Sequence, residues 1–107
     1  MDTPKTDRDA VKLVIQKYAQ FKPSHGDVRL DTVFDEANDR YALMQVGWVR
    51  GRRVRGNLIY VTLGEGKVWI EYDGMEQGIT QDLVDAGISQ ERIVFAFQAN
   101  LPTAVTV

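Results

Sequence analysis

Cysteine is absent from this sequence, and its 107 residues include a single histidine and only two serines. Without cysteine, neither a disulfide nor a thiolate metal site can form. The histidine, His25, follows Ser24 in a turn-like stretch, and that arrangement is too local for a Ser–His–Asp relay, whose groups must converge in space. We therefore predict no catalytic residue and no cofactor, and we interpret His25 as a solvent-facing turn residue.

Long apolar runs and an excess of basic charge are lacking as well. The apolar runs fall far short of the roughly 20 residues that span a bilayer, and the polar stretch "MDTPKTDRDAVKL" carries no apolar segment of a signal peptide. We expect a cytoplasmic protein without membrane contact. The net charge of −2 argues against a general DNA-coating protein, because phosphate neutralisation drives such binding. The net charge does not exclude a local basic patch.

The pattern that is present predicts one α+β domain over residues 1–107, with residues 1–6 and 98–107 loosely ordered. Apolar residues at spacings of three and four between Val11 and Phe21 predict a helix that ends before Pro23. Asp7 or Asp9 either caps its start or stabilises it by charge. From Asp27 the period changes to two. Segments 28–34, 41–49, 54–63 and 68–72 predict a four-stranded antiparallel meander sheet.

Segment 54–63 and the residues after position 73 allow further predictions. Segment 54–63 is apolar on both faces, which is typical of a central strand covered on two sides. After the turn at 73–78, Ile79, Leu83 and Ala86 predict a short C-terminal helix that ends at Gly87. Segment 93–97 is either an edge strand or a strip packed on that helix, and an extended tail follows.

Arginine is concentrated in "GWVRGRRVRGN", where Arg50, Arg52, Arg53 and Arg55 surround a glycine. This composition predicts the exposed tip of a β-hairpin, since charges there cost little and deter edge pairing. The tip is either only solvated, or it has one of two functions. The arginines can pair with carboxylates of a partner protein, or they can contact phosphates.

Other sequence patterns are only weak evidence for the binding of a metal ion, a phosphate or nucleic-acid bases. Asp73, Glu76 and Asp82 could hold a hard cation, but their spacing matches no known metal loop. The stretch "GEGK" lacks the spacing and the Ser/Thr of a phosphate-binding loop, so we predict a hairpin turn there. The strand aromatics, which could form a stacking platform for bases, are more typical of packing; they are Trp48, Tyr60, Trp69 and Tyr72.

Longer stretches resemble a known family. "YAQFKPSHGDVRLDTVFDEANDRYALMQVGW" and "RVRGNLIYVTLGEGKVWIEYDGMEQGITQDLVDAGISQERIVFAF" are similar to the XisI family, the controlling factors for excision of the fdxN element in cyanobacteria. The motifs that carry the resemblance include "VGW", "GKVWI" and "IVFAF". Two positions depart from the family pattern: His25 replaces a common tyrosine, and Tyr60 replaces an expected histidine.

The resemblance implies a non-enzymatic accessory factor in DNA excision, a form of site-specific recombination. It implies a XisH-type companion protein and a separate recombinase, so that DNA is contacted indirectly. We expect partner contact at Arg50, Arg52, Arg53 and Arg55 with a neighbouring aromatic, Trp48 or Trp69, because arginine and tryptophan are effective interface anchors. Direct DNA binding as a recombination directionality factor is the alternative, and a homo-oligomer stays open.

Overall fold

The computed structural model of the chain describes residues 6–21 and 27–96. Helix α1 (Asp7–Ala19) precedes four strands, which are β1 (Asp27–Asp35), β2 (Arg40–Val49), β3 (Arg52–Gly64) and β4 (Lys67–Asp73). Helix α2 (Thr80–Asp85), a 3-10 turn (Gln90–Arg92) and strand β5 (Ile93–Phe95) complete the order. Of the segments predicted to be loosely ordered, 1–6 and 98–107, only Thr6 is among the described residues, and it is ordered as the N-cap of α1. His25 lies outside the described residues.

The sheet has five strands, in the order β1-β2-β3-β4-β5, and not the predicted four. The first three pairings are antiparallel, as in the predicted meander. The fifth strand pairs in parallel with β4, with Ile93 opposite Val68 and Phe95 opposite Ile70. The chain reaches this position by crossing over through α2, a connection that parallel neighbours require. A three-residue strand is too short to show a period of two, which is why its pattern was ambiguous.

Helix α1 begins at a residue that differs from the predicted cap. The Thr6 hydroxyl accepts a hydrogen bond from the Asp9 amide at 3.1 Å, so Thr6 is the N-cap. Asp7 and Asp9 lie in the first turn, where a carboxylate is favourable near the positive end of the helix dipole. The predicted apolar face is confirmed in its first half, because Val11 and Ile15 are fully buried.

Both helices pack on one face of the sheet. The core combines Val11 and Ile15 of α1 with Leu83 of α2 and with inward residues of the sheet, which include Tyr41, Leu43, Ile59, Val61, Val68 and Ile70. In the part of the chain that the structure describes, no helix or strand covers the opposite face. The prediction that β3 is covered on two sides is therefore wrong for these residues. Its outward residues Tyr60 and Thr62 are only partly buried.

Two tight turns fix the register of the central strands. Arg50 and Gly51 join β2 to β3 with φ of 53° and 79°, and Glu65 and Gly66 join β3 to β4 with φ of 57° and 72°. Positive φ at both central residues is the mark of the two-residue turn whose twist matches that of the strands. The predicted "GEGK" hairpin is thus confirmed. No helix among residues 6–21 and 27–96 has the length and apolar character that a membrane crossing needs.

Candidate functional site

The four arginines do not lie together at a hairpin tip. Only Arg50 is in the turn, because β3 already begins at Arg52. Side chains alternate between the faces of a strand, so Arg53 and Arg55 point away from the helices, while Arg52 belongs to the other face. The predicted cluster is thereby divided between two sides of the sheet, and the cause is the short turn.

Arg53 and Trp48 form the centre of the outward part of this cluster. They are cross-strand partners, and the Arg53 guanidinium lies 5.3 Å from the centroid of the Trp48 ring. The Trp48 side chain is 49% exposed, so one side of this stack faces solvent. Among the described residues, neither Arg53 nor Arg55 has a carboxylate within ion-pair distance. A stacked guanidinium of this kind keeps its donors available for an acceptor outside the chain.

These residues belong to a larger surface that we call the open face, formed by the outward residues of β1 to β4. The strand register arranges it in five cross-strand rows: Asp27, Trp48 and Arg53; Arg29, Val46 and Arg55; Asp31, Met44 and Asn57; Val33, Ala42, Tyr60 and Tyr72; and Asp35, Arg40, Thr62 and Trp69.

Trp69 lies on the open face but far from Trp48. Its own row contains Arg40, which is eight residues from Trp48 along β2 (48 − 40 = 8), or about 26 Å at about 3.3 Å per residue. The Trp69 indole N–H donates to the Gly64 carbonyl at 3.0 Å, and the Lys67 ammonium lies 6.0 Å from its ring centroid. Trp48 and Trp69 are thus at opposite ends of one face, and they cannot contact the same small ligand.

A shallow groove of about 530 Å³ surrounds Trp69. Arg40 and Tyr60 line it, and so does Glu71, which accepts a hydrogen bond from the Thr62 hydroxyl at 2.9 Å. Arg40 and Glu71 were not among the predicted site residues. Glu71 lies at a register shift between β3 and β4, where Tyr60 pairs with Tyr72 and Val61 with Ile70, and no pattern in the sequence signals that shift. Tyr60, which departs from the family pattern, lines the groove as well.

Two of the three carboxylates considered as metal ligands, Asp73 and Asp82, have structural partners. The two oxygens of Asp73 accept hydrogen bonds from the amides of Met75 and Ile79, at 3.1 and 2.8 Å. Asp82 accepts from the Lys17 ammonium at 2.8 Å and from the Tyr18 hydroxyl. No group of three or more His, Cys, Asp or Glu side chains within 6–21 and 27–96 is placed to hold a metal ion.

Two titratable clusters tie the helices to the rest of the protein. Burial and the hydrogen bond to Asp82 raise the pKa of Tyr18 to about 12. Burial and the 2.8 Å hydrogen bond to Asp39 likewise raise the pKa of Tyr41 to about 12. Hydrogen bonds from Tyr41 and Arg8 hold the pKa of Asp39 below its usual value. Each group in these clusters is already engaged within the chain, so we interpret both clusters as structural.

A family model and two solved structures to which this chain is similar share one family name. The family model described as XisI protein matches residues 1–106. A XisI-like protein from Anabaena variabilis has a TM-score of 0.78 at 27% identity, over 85% of this chain and 84% of its own. The fdxN element excision controlling factor XisI from the same organism has a TM-score of 0.67 at 31% identity, over 84% and 88%. No curated protein matches the chain.

The fold and the open face define a class: a small α+β protein with its helices on one side of a mixed sheet and a partly apolar, arginine-bearing surface on the other. Within that class, the chain belongs to the XisI family.

Proposed function

We propose that this protein is a non-enzymatic accessory factor that acts by binding a XisH-type companion protein during excision of a DNA element. A separate recombinase carries out the strand chemistry, and DNA is met through the complex, in the cytoplasm. Family membership supports the proposal, since a solved relative is named an excision controlling factor. The observation that carries the binding role is the exposed Trp48–Arg53 stack, whose guanidinium has no carboxylate partner among the described residues.

A non-enzymatic role accords with the way the carboxylates are used. Asp73 holds the turn that leads to α2 through two backbone amides, and Asp82 joins that helix to α1 through Lys17 and Tyr18. A general acid or base needs access to a substrate proton, and both groups are occupied by contacts that hold the fold. We therefore place the chemistry of excision in the partners.

Co-expression with the XisH-type protein encoded nearest to this chain tests the proposal. One of the two proteins carries a tag, purification is at high salt, and light scattering gives the mass of the product. We expect a complex of defined stoichiometry, and the same measurement reports whether this chain associates with itself. A clean failure to co-purify under conditions in which both proteins are folded would reject the companion-binding role.

Direct DNA binding is the second candidate, and the Trp48–Arg53 stack also favours it, because stacked aromatics with arginines are used by single-strand binders. Two phosphate contacts, by Arg53 and Arg55, predict a salt slope of roughly −1.8, against roughly −3.6 for all four arginines. A retardation assay at several salt concentrations measures this slope. If the isolated protein retards DNA and the retardation is lost when the two arginines are replaced, direct DNA binding becomes the preferred function.

A further inference from the structure

The open face is more apolar than the solvated face of an ordinary antiparallel sheet. Such sheets usually alternate between buried apolar residues and exposed polar ones. Here the exposed large apolar side chains within the described ranges are five, and three of them lie on this face: Val33, Trp48 and Tyr72, each about half exposed. Contiguous apolar surface bounded by charges is typical of an interaction site.

Several charged side chains of the open face make contacts within the chain. The Arg29 guanidinium pairs with Asp31 at 3.1 Å on the same strand. Asp35 accepts a hydrogen bond from the Asn38 amide group at 2.8 Å, and Glu71 accepts from Thr62. Arg29 and Asp31 neutralise each other, whereas Asp35 and Glu71 keep their negative charge because their partners are neutral.

The charged groups of the open face without an ion pair are arginines and carboxylates in equal number. Within residues 6–21 and 27–96, Arg40, Arg53 and Arg55 have no carboxylate within 4.0 Å, and Asp27, Asp35 and Glu71 have no cation within that distance. Arg53 and Arg55 lie at one end of the face, and Arg40 lies at the other end beside the Trp69 groove. The apolar row that contains Val33 and Tyr60 lies between these ends. The end that carries Arg53 and Arg55 therefore has a positive excess, since Asp27 is the one unpaired carboxylate in their rows. At the other end Arg40 is outnumbered by Asp35, its cross-strand partner, and by Glu71, which lines the same groove. We call the apolar row between these ends the apolar centre.

We propose that the open face is the docking surface for an acidic, amphipathic segment of the companion protein, whose carboxylates pair with Arg53 and Arg55 at one end and whose apolar side chains cover the apolar centre. This inference rests on the proposed function and assigns it a surface. Arg50 and Arg52 lie outside that surface, in the turn and on the other face of β3. Arginine suits such a contact because its planar fork matches a carboxylate.

The dimensions of the face agree with a specific interface. Four strands about 4.8 Å apart and about 26 Å long present roughly 500 Å² in projection. A partner that covers this area buries roughly 1,000 Å² counted on both proteins, which is close to the lower bound for a specific complex. The hairpin ends add to this area.

The same charges disfavour the other occupants. A two-fold symmetric homodimer uses the same patch on both copies. If two copies packed through the open face, Arg53 and Arg55 of one copy would face either the same arginines or Arg40 of the other copy, depending on the direction of the axis. Like charges would then repel each other. Nucleic acid is disfavoured because a strand carries a phosphate at every nucleotide and would bring phosphates against Asp27, Asp35 and Glu71. A protein segment can place its carboxylates at Arg53 and Arg55 alone and set apolar side chains on the rest of the face.

Paired charge reversals test the position of the surface. In R53E/R55E the two arginines of the open face are reversed, and in R50E/R52E the charge change is equal but lies off that face. Affinity for the purified companion protein is measured by calorimetry, and thermal unfolding of both variants checks that they are folded. We expect R53E/R55E to bind the companion at least about tenfold more weakly, and R50E/R52E to bind within about threefold of the unaltered protein. Equal losses in both variants would overturn the inference.

A second pair of variants tests the apolar centre. Val33→Glu places a carboxylate on the open face, and Leu13→Glu makes the same kind of change on α1, where Leu13 is 43% exposed. We expect only Val33→Glu to weaken binding, by about tenfold or more. An unchanged affinity of the folded Val33→Glu protein would contradict a docking surface that includes the centre.

The failure of this inference is distinguishable from that of the proposed function. If the unaltered protein does not bind the companion, the proposed function fails and the docking surface fails with it. If binding is tight and none of the open-face variants changes it, only the surface assignment fails. A homodimer in light scattering that R53E/R55E disrupts, or DNA retardation that the same variant abolishes, would replace the acidic segment with a second copy or with nucleic acid.

Discussion

Replacement of Gly47 by alanine should weaken the fold at the end of the sheet that carries Trp48. A Cβ atom at Gly47 would lie 2.0 Å from the Asp27 carbonyl oxygen and 2.6 Å from the Val28 Cα atom. An ordinary carbon–oxygen contact is about 3.3 Å, so the backbone of β1 must move by more than about 1 Å. Both obstructing atoms are backbone atoms, and no side-chain rotation relieves the contact.

Overpacking of this kind typically costs 1–3 kcal/mol, and we expect a value near the upper end, about 3 kcal/mol. For a domain of this size, the melting temperature should then fall by about 12 °C or more. Detachment of the first residues of β1, where Asp27 and Val28 pair with Trp48 and Gly47, offers a partial escape. This detachment breaks the pairing of those residues, so the free energy of unfolding is still lowered by at least about 1 kcal/mol.

Urea unfolding followed by circular dichroism measures the change, and Gly64→Ala is the matched control. A Cβ at Gly64 meets only the Trp69 Nε1 atom, at 4.0 Å, so this substitution should be neutral or stabilise the protein by up to about 1 kcal/mol through the unfolded state. If Gly47→Ala unfolds at the same urea concentration as the unaltered protein, the close approach of β1 to β2 at this residue is not as described.

Three further predictions concern particular contacts. Tyr18→Phe removes the hydroxyl that donates to Asp82 and should lower the free energy of unfolding by about 1–2 kcal/mol in urea titrations; an unchanged value would mean that this hydroxyl does not help to hold α1 against α2. The pKa values of Tyr18 and Tyr41, raised to about 12, lie above the unfolded value of about 10. The stability they contribute is therefore complete below pH 10 and is lost as the pH rises towards 12; absorbance of tyrosinate should show both groups titrating late, and titration near pH 10 would oppose this. Arg50→Asn should stabilise the fold by about 0.5–1 kcal/mol, because Arg50 has a φ of 53° and asparagine tolerates that conformation better; a lower melting temperature would argue against it.

Part of the candidate site was predictable from the sequence. The run between Arg50 and Arg55 identified a hairpin rich in arginine, and Trp48 was correctly placed beside it. The division of the arginines between two faces was not predicted, because it depends on a turn of only two residues. Arg40 and Glu71 were missed because neither belongs to a motif; the pairing of three strands brings them next to Trp69.

The sequence by itself determined the local structure. A spacing of three and four predicted α1, a period of two predicted β1 and β2, and β-branched and aromatic composition predicted β3. Gly66 and Gly87 marked a turn and a helix end. Each of these rules acts between residues close in the chain. Only the tertiary structure decided which face of the sheet the helices cover, and that residues 93–95 return to pair in parallel with β4. Periodicity indicates which side chains share a face of a strand or helix, but which residues pack against that face depends on parts of the chain that are distant in sequence.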